Sequence, residues 1–275
     1  MRKDPGADRH ILVVEDEAIN RSVLARQLAM VGVAAEMAVD GDDGLLRWRE
    51  GDFALVLSDL HMPVKDGFAL VRAIRAEEGA GPRTPVLAFS ADARVGQAER
   101  AREAGFDAFL TKPLQLEGLR AVLGRWMAQA PPPGTRRVPA AAAMPRAEAV
   151  FDVHALREIV GDEPSVMVEI VAYFDTVATG IRAELLRAAA SGDAAEAVML
   201  AHRLKSSSRS VGALPLGRLC AVLEDEGATA TGSTGSLVSM VADVVDALDA
   251  ALHAMRGWRG AGPAAAEWQN ARNWL

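Results

Sequence analysis

Hydrophobic residues in the first half of the chain come in short continuous runs separated by longer amphipathic stretches. Short, continuously apolar runs are typical of strands buried on both faces. They occur at 11–14, 33–37, 53–58, 85–90 and 106–110. The stretches with helical periodicity lie near 18–30, 42–50, 67–78, 95–104 and 116–127. This alternation predicts a five-stranded parallel sheet between two layers of helices, a doubly wound α/β domain.

The second half of the chain has helical periodicity and no clear strand pattern. Pro164 can begin a long helix that runs toward Ala190, and Pro215 can begin another. Residues 191–193 (SGD) are typical of a turn and helix cap, and residues 237–255 predict a last long helix. The natural packing of such segments is an all-α helical bundle.

A segment rich in alanine and proline separates the two patterns. Residues 129–149 contain five prolines and seven alanines, a composition that does not join a packed core easily. We therefore expect an α/β domain at 9–128, a linker at 129–149, a four-helix bundle at 150–256 and a tail at 257–275.

Composition and charge narrow the classes of protein. The chain has 275 residues, 50% of them hydrophobic and 24% charged, which suits two globular domains. A net charge of -7 argues against nucleic acid as the main partner. The one cysteine, Cys220, excludes an internal disulfide and fits a reducing compartment. We find no apolar run near the ~18–20 residues of a membrane span and no secretory signal in residues 1–10, so we expect a cytoplasmic protein.

Chemically active side chains follow four of the five predicted strands. Glu15 and Asp16 follow the first strand, Asp59 the third, Ser90 the fourth and Lys112 the fifth. Any one of these residues could stand at a strand end by chance. In an open α/β sheet, however, the carboxyl ends of the strands meet at one edge, where ligands bind. The sequence therefore predicts that these five side chains lie together.

This set of groups predicts a site for a phosphoryl group. Three clustered carboxylates repel one another, and a hard divalent cation such as Mg²⁺ relieves that repulsion. The cation and Lys112 would neutralise phosphoryl oxygens, Ser90 would donate a hydrogen bond, and Asp59 would be the nucleophile that forms an acyl phosphate. Flavin binding is disfavoured, because no Gly-rich or Ser/Thr-rich phosphate loop follows the first strand.

Residues 9–128 resemble the response-regulator receiver domain of two-component signalling. The resemblance rests on VVEDE (13–17), SDLHMPVKDG (58–67), AFSA (88–91) and FLTKPL (109–114). It implies a flavodoxin-like fold with strand order 2-1-3-4-5 and a bound Mg²⁺ or Mn²⁺.

The receiver resemblance also implies roles for individual residues. These are Asp59 as phosphoacceptor, Glu15 and Asp16 as the acidic pair that holds the metal with Asp59, the backbone carbonyl of His61 as a further metal ligand, Ser90 as the switch hydroxyl and Lys112 as the phosphate-binding lysine. Phe109 stands at the switch aromatic position, where many receivers have tyrosine, so a phenol hydroxyl is absent. The Lys112–Pro113 bond is expected to be cis.

One predicted helix in the second half, within 192–213, has two chemically different faces. At ~100° per residue, its small and apolar residues share one face, which we expect to be core. The other face carries His202, Lys205, Ser206 and Arg209 and is expected to be an exposed stripe. An imidazole can carry a phosphoryl group, and Lys205, one turn along the helix, could neutralise its oxygens.

The run AHRLKSSSRSVGA (201–213) resembles the histidine phosphotransfer (HPt) domain. The resemblance implies that His202 is the phosphorylated histidine and that Lys205 assists catalysis. Many members have glycine where this chain has Ser206, a departure that could slow transfer.

Together the two resemblances predict a phosphorelay protein rather than an ATP-dependent kinase, since ATP-binding Gly-rich boxes are not found. Asp59 would accept a phosphoryl group from a sensor histidine kinase, and His202 would relay one to or from a receiver aspartate, including that of a downstream response regulator. The direction of flow and the oligomeric state stay open. The alternatives are a phosphorylation-switched scaffold and a phosphate sink, in both of which His202 is silent.

Overall fold

The computed structural model describes residues 10–79, 81–91, 96–127, 149–227 and 234–261. The chain divides into two compact units, residues 1–143 and 144–275, which are described separately below.

The first unit is built on a five-stranded parallel sheet with strand order β2-β1-β3-β4-β5, which confirms the predicted topology. Its strands are β1 (His10–Val14), β2 (Ala35–Ala38), β3 (Phe53–Asp59), β4 (Val86–Ser90) and β5 (Ala108–Thr111). Strands β1, β3 and β4 are buried on both faces, which explains their continuous hydrophobic runs.

In the part of the first unit that the structure describes, five helices cover the two faces of this sheet. They are α1 (Ala18–Met30), α2 (Gly41–Glu50), α3 (Gly67–Glu78), α4 (Gln97–Ala104) and α5 (Leu116–Met127). On one face, Leu12 and Val14 of β1 belong to the core formed with α2, α3 and α4. On the other face, Ile11 and Val13 belong to the core formed with α1 and α5. The unit is therefore a doubly wound α/β sandwich.

The turn from β3 into α3 brings the chain unusually close to Asp59. The amide of Gly67 donates to the carbonyl of Leu60 at 3.0 Å. A Cβ atom at position 67 would lie 2.0 Å from the backbone oxygen of Asp59. Only glycine fits there without displacing the end of β3.

We therefore expect Gly67→Ala to lower the free energy of unfolding of the first unit by about 1–3 kcal/mol, because the added methyl overpacks a backbone contact. Thermal and urea unfolding of the full chain, followed by tryptophan fluorescence, measures the loss. Gly124→Ala is the matched control, since a Cβ at position 124 of α5 meets nothing within 4 Å. The steric argument fails if Gly67→Ala and Gly124→Ala unfold at the same urea concentration.

Within its described residues, the second unit is a bundle of four long helices with one short helix before them. Helix α6 (Val153–Val160) is the short one, and the sequence pattern did not separate it from its surroundings. The bundle helices are α7 (Pro164–Ser191), α8 (Ala194–Ser210), α9 (Leu214–Gly227) and α10 (Thr234–Ala261). Each packs on the next, and α10 packs back on α7. The helical architecture expected from the periodicity is confirmed.

The last helix extends beyond 256, the end of the bundle expected from the sequence. Helix α10 continues to Ala261, and its Trp258 packs edge-on against Phe151 with 5.6 Å between ring centroids. Trp258 thus joins helix α10 to the segment that precedes helix α6. Trp268 and Trp274, which were also expected in the tail, lie outside the described residues.

Within the described ranges, α7 is the one helix whose length and hydropathy would suffice to cross a membrane. This finding corrects the expectation that no segment approaches such a length. A core helix of a bundle meets the same criterion, and Phe174, Ile181 and Leu185 of α7 are buried inside this unit.

Candidate functional site

The carboxyl edge of the sheet brings together the five side chains singled out in the sequence. Glu15 and Asp16 follow β1, Asp59 and Ser90 are the last residues of β3 and β4, and Lys112 follows β5. Carboxylate oxygens of Glu15, Asp16 and Asp59 all lie within 4.8 Å of one another. Parallel strand order, rather than proximity in the chain, creates this cluster.

Lys112 forms ion pairs with two of the carboxylates in this cluster. Its Nζ donates to Asp59 Oδ2 and to Glu15 Oε2, both at 2.5 Å. Burial alone would lower the pKa of Lys112, but the two carboxylates outweigh it and raise the pKa above its usual value. Lys112 therefore keeps its positive charge although only 7% of the residue is exposed.

The positive charge of Lys112 does not fully compensate the negative charge around Glu15. Burial, opposed by Lys112 and reinforced by Asp59 and Asp16, raises the pKa of Glu15 to about 8. A raised pKa means that the ionised form of Glu15 is destabilised where it stands. A cation beside the three carboxylates would remove that penalty. Clustered carboxylate oxygens without nitrogen ligands are the donor set that Mg²⁺ prefers, so the residues fit such an ion.

The loop after β3 orients the proposed nucleophile. Asp59 Oδ1 accepts from the backbone amide of His61 at 3.1 Å, while Oδ2 is held by Lys112. The side chain of His61 is exposed, and its Nε2 lies 3.4 Å from Nε2 of Gln97 on α4. Hydrogen bonds thus hold both carboxylate oxygens of Asp59 in a fixed orientation before a ligand binds.

The two positions expected to switch lie on neighbouring strands. Ser90 is buried at the end of β4, and its carbonyl accepts from the amide of Lys112 at 2.8 Å. Phe109 of β5 pairs with Ala88 of β4 and packs partly buried against the core below. The Lys112–Pro113 bond is cis, as expected.

The second candidate site lies on α8, where His202 meets a carboxylate that the sequence pattern did not reveal. Nδ1 of His202 lies 2.7 Å from Oε1 of Glu224 on α9. The other oxygen of Glu224 accepts from Nζ of Lys205. One carboxylate therefore joins the imidazole and the ammonium that were expected to act together.

The prediction that the residues around His202 form an exposed stripe is wrong for Lys205 and Ser206. Lys205 and Ser206 are only 7% and 6% exposed, and Arg209 is half-buried. Helix α9 covers them because Gly217 allows close approach: a Cβ there would lie 2.9 Å from Cγ of Arg209. The side chain of His202 keeps 29% of its surface exposed.

Glu224 determines which nitrogen of His202 can react. Burial opposes ionisation, but hydrogen bonds from His202 and Lys205 lower the pKa of Glu224 to about 2. An ionised carboxylate can only accept, so Nδ1 of His202 is the protonated nitrogen. The lone pair of the neutral ring is then on Nε2, the position from which a phosphoryl group can be attacked.

We therefore expect Glu224→Ala to slow phosphorylation of His202 by about 100-fold, because ring orientation and charge stabilisation are lost together. Glu224→Gln keeps a hydrogen-bond acceptor without the charge, and about 10-fold is expected for it. Rapid-quench phosphotransfer measures the rates, and ¹⁵N chemical shifts of His202 report its tautomer.

Asp225→Ala removes the neighbouring, exposed carboxylate of α9 and is the matched control. Wild-type rates in Glu224→Ala, with an unchanged tautomer, would exclude the role assigned to Glu224.

Family models match both units. Residues 11–124 match the response regulator receiver domain. Residues 169–258 match the Hpt domain.

Curated relatives contain these regions within much longer proteins. Hybrid signal transduction histidine kinase G of Dictyostelium discoideum is 37% identical over 118 residues, covering 42% of this chain and 3% of that protein. Sensor histidine kinase AruS of Pseudomonas aeruginosa is 30% identical over 223 residues, covering 81% of this chain and 21% of that protein. The chain thus spans about a fifth or less of the length of these relatives.

Among solved structures, the receiver domain of sensor histidine kinase PA1611 from Pseudomonas aeruginosa PAO1 was determined with magnesium in its active site cleft. It is 32% identical, with a TM-score of 0.42, and the match covers 45% of this chain and 100% of that domain. The two family matches decide the assignment. This chain contains a response regulator receiver domain, residues 11–124, followed by an Hpt domain, residues 169–258.

Proposed function

We propose that the chain is a phosphorelay intermediary with two phosphorylation sites. Asp59 accepts a phosphoryl group from a phosphohistidine, and His202 carries one to or from a receiver aspartate. The observation that carries the proposal is the charge arrangement at each site. A buried ammonium reaches the proposed acceptor Asp59 directly, and Lys205 reaches His202 through the shared Glu224.

At the receiver site, an oxygen of Asp59 forms a new bond to phosphorus while the bond from phosphorus to the donor nitrogen breaks. Lys112 moves its hydrogen bond from the carboxylate to the phosphoryl oxygens, and Ser90 donates a further one. Mg²⁺ or Mn²⁺, held by Glu15, Asp16, Asp59 and the carbonyl of His61, would supply additional positive charge at those oxygens. The receiver thereby promotes its own phosphorylation, and water attack on the acyl phosphate reverses it.

At the Hpt site, Nε2 of His202 forms the bond to phosphorus and the receiver's acyl-phosphate oxygen leaves as a carboxylate. The ring becomes positively charged during this step, and the carboxylate of Glu224 at Nδ1 stabilises that charge. Lys205 faces the incoming oxygens once it leaves Glu224. The reverse transfer uses the same groups in the opposite order.

The proposed partners follow from the chemistry of the two sites. Neither matched domain is a kinase, so a sensor histidine kinase is the proposed donor to Asp59. A receiver is the proposed partner of His202, because the half-buried Arg209 adds positive charge near the partly exposed imidazole, and this charge suits the acidic edge of such a domain. We place this exchange in the cytoplasm, in keeping with the free thiol of Cys220.

The experiment that tests the proposal is phosphotransfer to the full chain from a phosphorylated histidine kinase, and from a small acyl phosphate, in the presence of Mg²⁺. Label on Asp59 is base-labile, whereas label on His202 is base-stable and acid-labile. We expect both kinds. A chain that acquires neither label from any donor would contradict the proposed function.

A further inference from the structure

Helix α1 of the receiver buries polar side chains that a purely structural helix would not need. Asn20 and Gln27 are only 3% and 1% exposed, among the apolar neighbours Ile19, Leu24 and Leu28. A buried polar group is costly unless it is hydrogen-bonded. The hydrogen bonds of these side chains show what the helix does.

Three polar side chains of α1 reach loops of the acidic site. Arg21 donates through Nη1 to the carbonyl oxygens of Glu15 at 2.7 Å and Asp16 at 2.9 Å. Asn20 donates to the side chain of Glu15 at 3.1 Å. Gln27 donates to the carbonyl of Leu114 at 2.7 Å, in the loop that carries Lys112. The helix therefore holds both the acidic loop and the lysine loop.

The contacts of Arg21 are the most informative, because they join one guanidinium to both residues of the acidic pair. Glu17, the N-cap of α1, makes no side-chain cap, so ordinary capping does not order this loop. Two carbonyls that point at one guanidinium fix the peptide planes of Glu15 and Asp16. The directions in which their carboxylates leave the backbone are then fixed as well.

We propose that Arg21 is a positioning residue that preorganises Glu15 and Asp16 for the divalent cation, with Asn20 orienting the carboxylate of Glu15. This inference rests on the proposed function, because it takes the acidic cluster to be a cation site. Asn20 engages Oε1 of Glu15 and Lys112 engages Oε2, so Glu15 is held from both sides. The carboxylate of Asp16 is partly exposed, and Arg21 holds the backbone carbonyl of the same residue.

Loss of such outer contacts typically weakens metal affinity by about 10–100-fold, because the ligands must be ordered when the metal binds. We expect this weakening of Mg²⁺ binding in Arg21→Met. Arg21→Lys retains a charged donor but not the planar guanidinium, and a partial rescue is expected. Arg26→Met, which replaces the other arginine of α1, is the matched control.

The measurement is the Mg²⁺ dissociation constant of the full chain, by isothermal titration calorimetry. Thermal unfolding in EDTA is measured in parallel and should change little in Arg21→Met, whereas the gain in midpoint on adding Mg²⁺ should shrink. A dissociation constant within twofold of wild type overturns the inference. So does an affinity loss matched by collapse of the EDTA midpoint, which would show a structural role alone. Either result, with wild type still binding Mg²⁺ and taking label, leaves the proposed function standing.

Discussion

Replacing Asp59 with asparagine is expected to abolish phosphorylation of the receiver, with a loss of at least about 10³-fold in the rate of labelling. The amide has nearly the shape of the carboxylate but is not a nucleophile toward phosphorus, so the acyl phosphate cannot form. The amide also removes one of the two charges that hold Lys112. The pKa of Lys112 should therefore move down toward its ordinary value.

The measurement is base-labile label on the chain after exposure to a phosphorylated histidine kinase and Mg²⁺. Asp42→Asn, at an exposed position in the first turn of α2, is the control that changes charge without touching the cluster. Base-labile label that persists in Asp59→Asn at the wild-type rate would place the phosphoacceptor elsewhere.

Replacing His202 with glutamine is expected to remove all base-stable, acid-labile label while leaving label on Asp59 intact. Glutamine can still donate to Glu224, so the packing of α8 on α9 should survive and the melting temperature should change little. What is lost is Nε2 of the imidazole, whose lone pair can attack phosphorus while Nδ1 carries the ring proton.

This variant also separates the three functions that the domain composition allows. Loss of signalling with Asp59 labelling intact supports a relay through His202. Signalling that continues unchanged in His202→Gln would instead support a phosphorylation-switched scaffold or a phosphate sink. His253→Gln replaces an exposed histidine of α10 and controls for the substitution itself.

The receiver site could be predicted from the sequence because its residues sit at strand ends. Once β1, β3, β4 and β5 are identified as parallel neighbours, topology alone brings Glu15, Asp59 and Lys112 together. The hydrophobic pattern gave these strands within a few residues, since buried strands leave continuous apolar runs. The cluster therefore needed no knowledge of side-chain packing.

The Hpt site was harder to predict from the sequence, because its chemistry depends on how helices α8 and α9 pack against each other. Glu224 follows Gly217 by two helical turns, so both lie on the face of α9 that approaches α8. A helical wheel of α8 alone placed His202 correctly outside the core but left Lys205 exposed. The sequence pattern also missed Arg21, because its targets are backbone carbonyls, which carry no residue-specific signal.

The carboxylate of Glu224 has a consequence for the energy of the loaded Hpt domain. At rest it neutralises the ammonium of Lys205, so the ion pair is already closed before a phosphoryl group arrives. Phosphorylation of His202 adds about 1.5–2 negative charges beside it. In the proposed loaded state, Glu224 pairs with the positively charged ring and Lys205 turns to the phosphoryl oxygens, so the ion pair between Lys205 and Glu224 must open. The ion pair closes again when the phosphoryl group leaves, which favours onward transfer, so we expect His202 to pass the group on rather than to retain it.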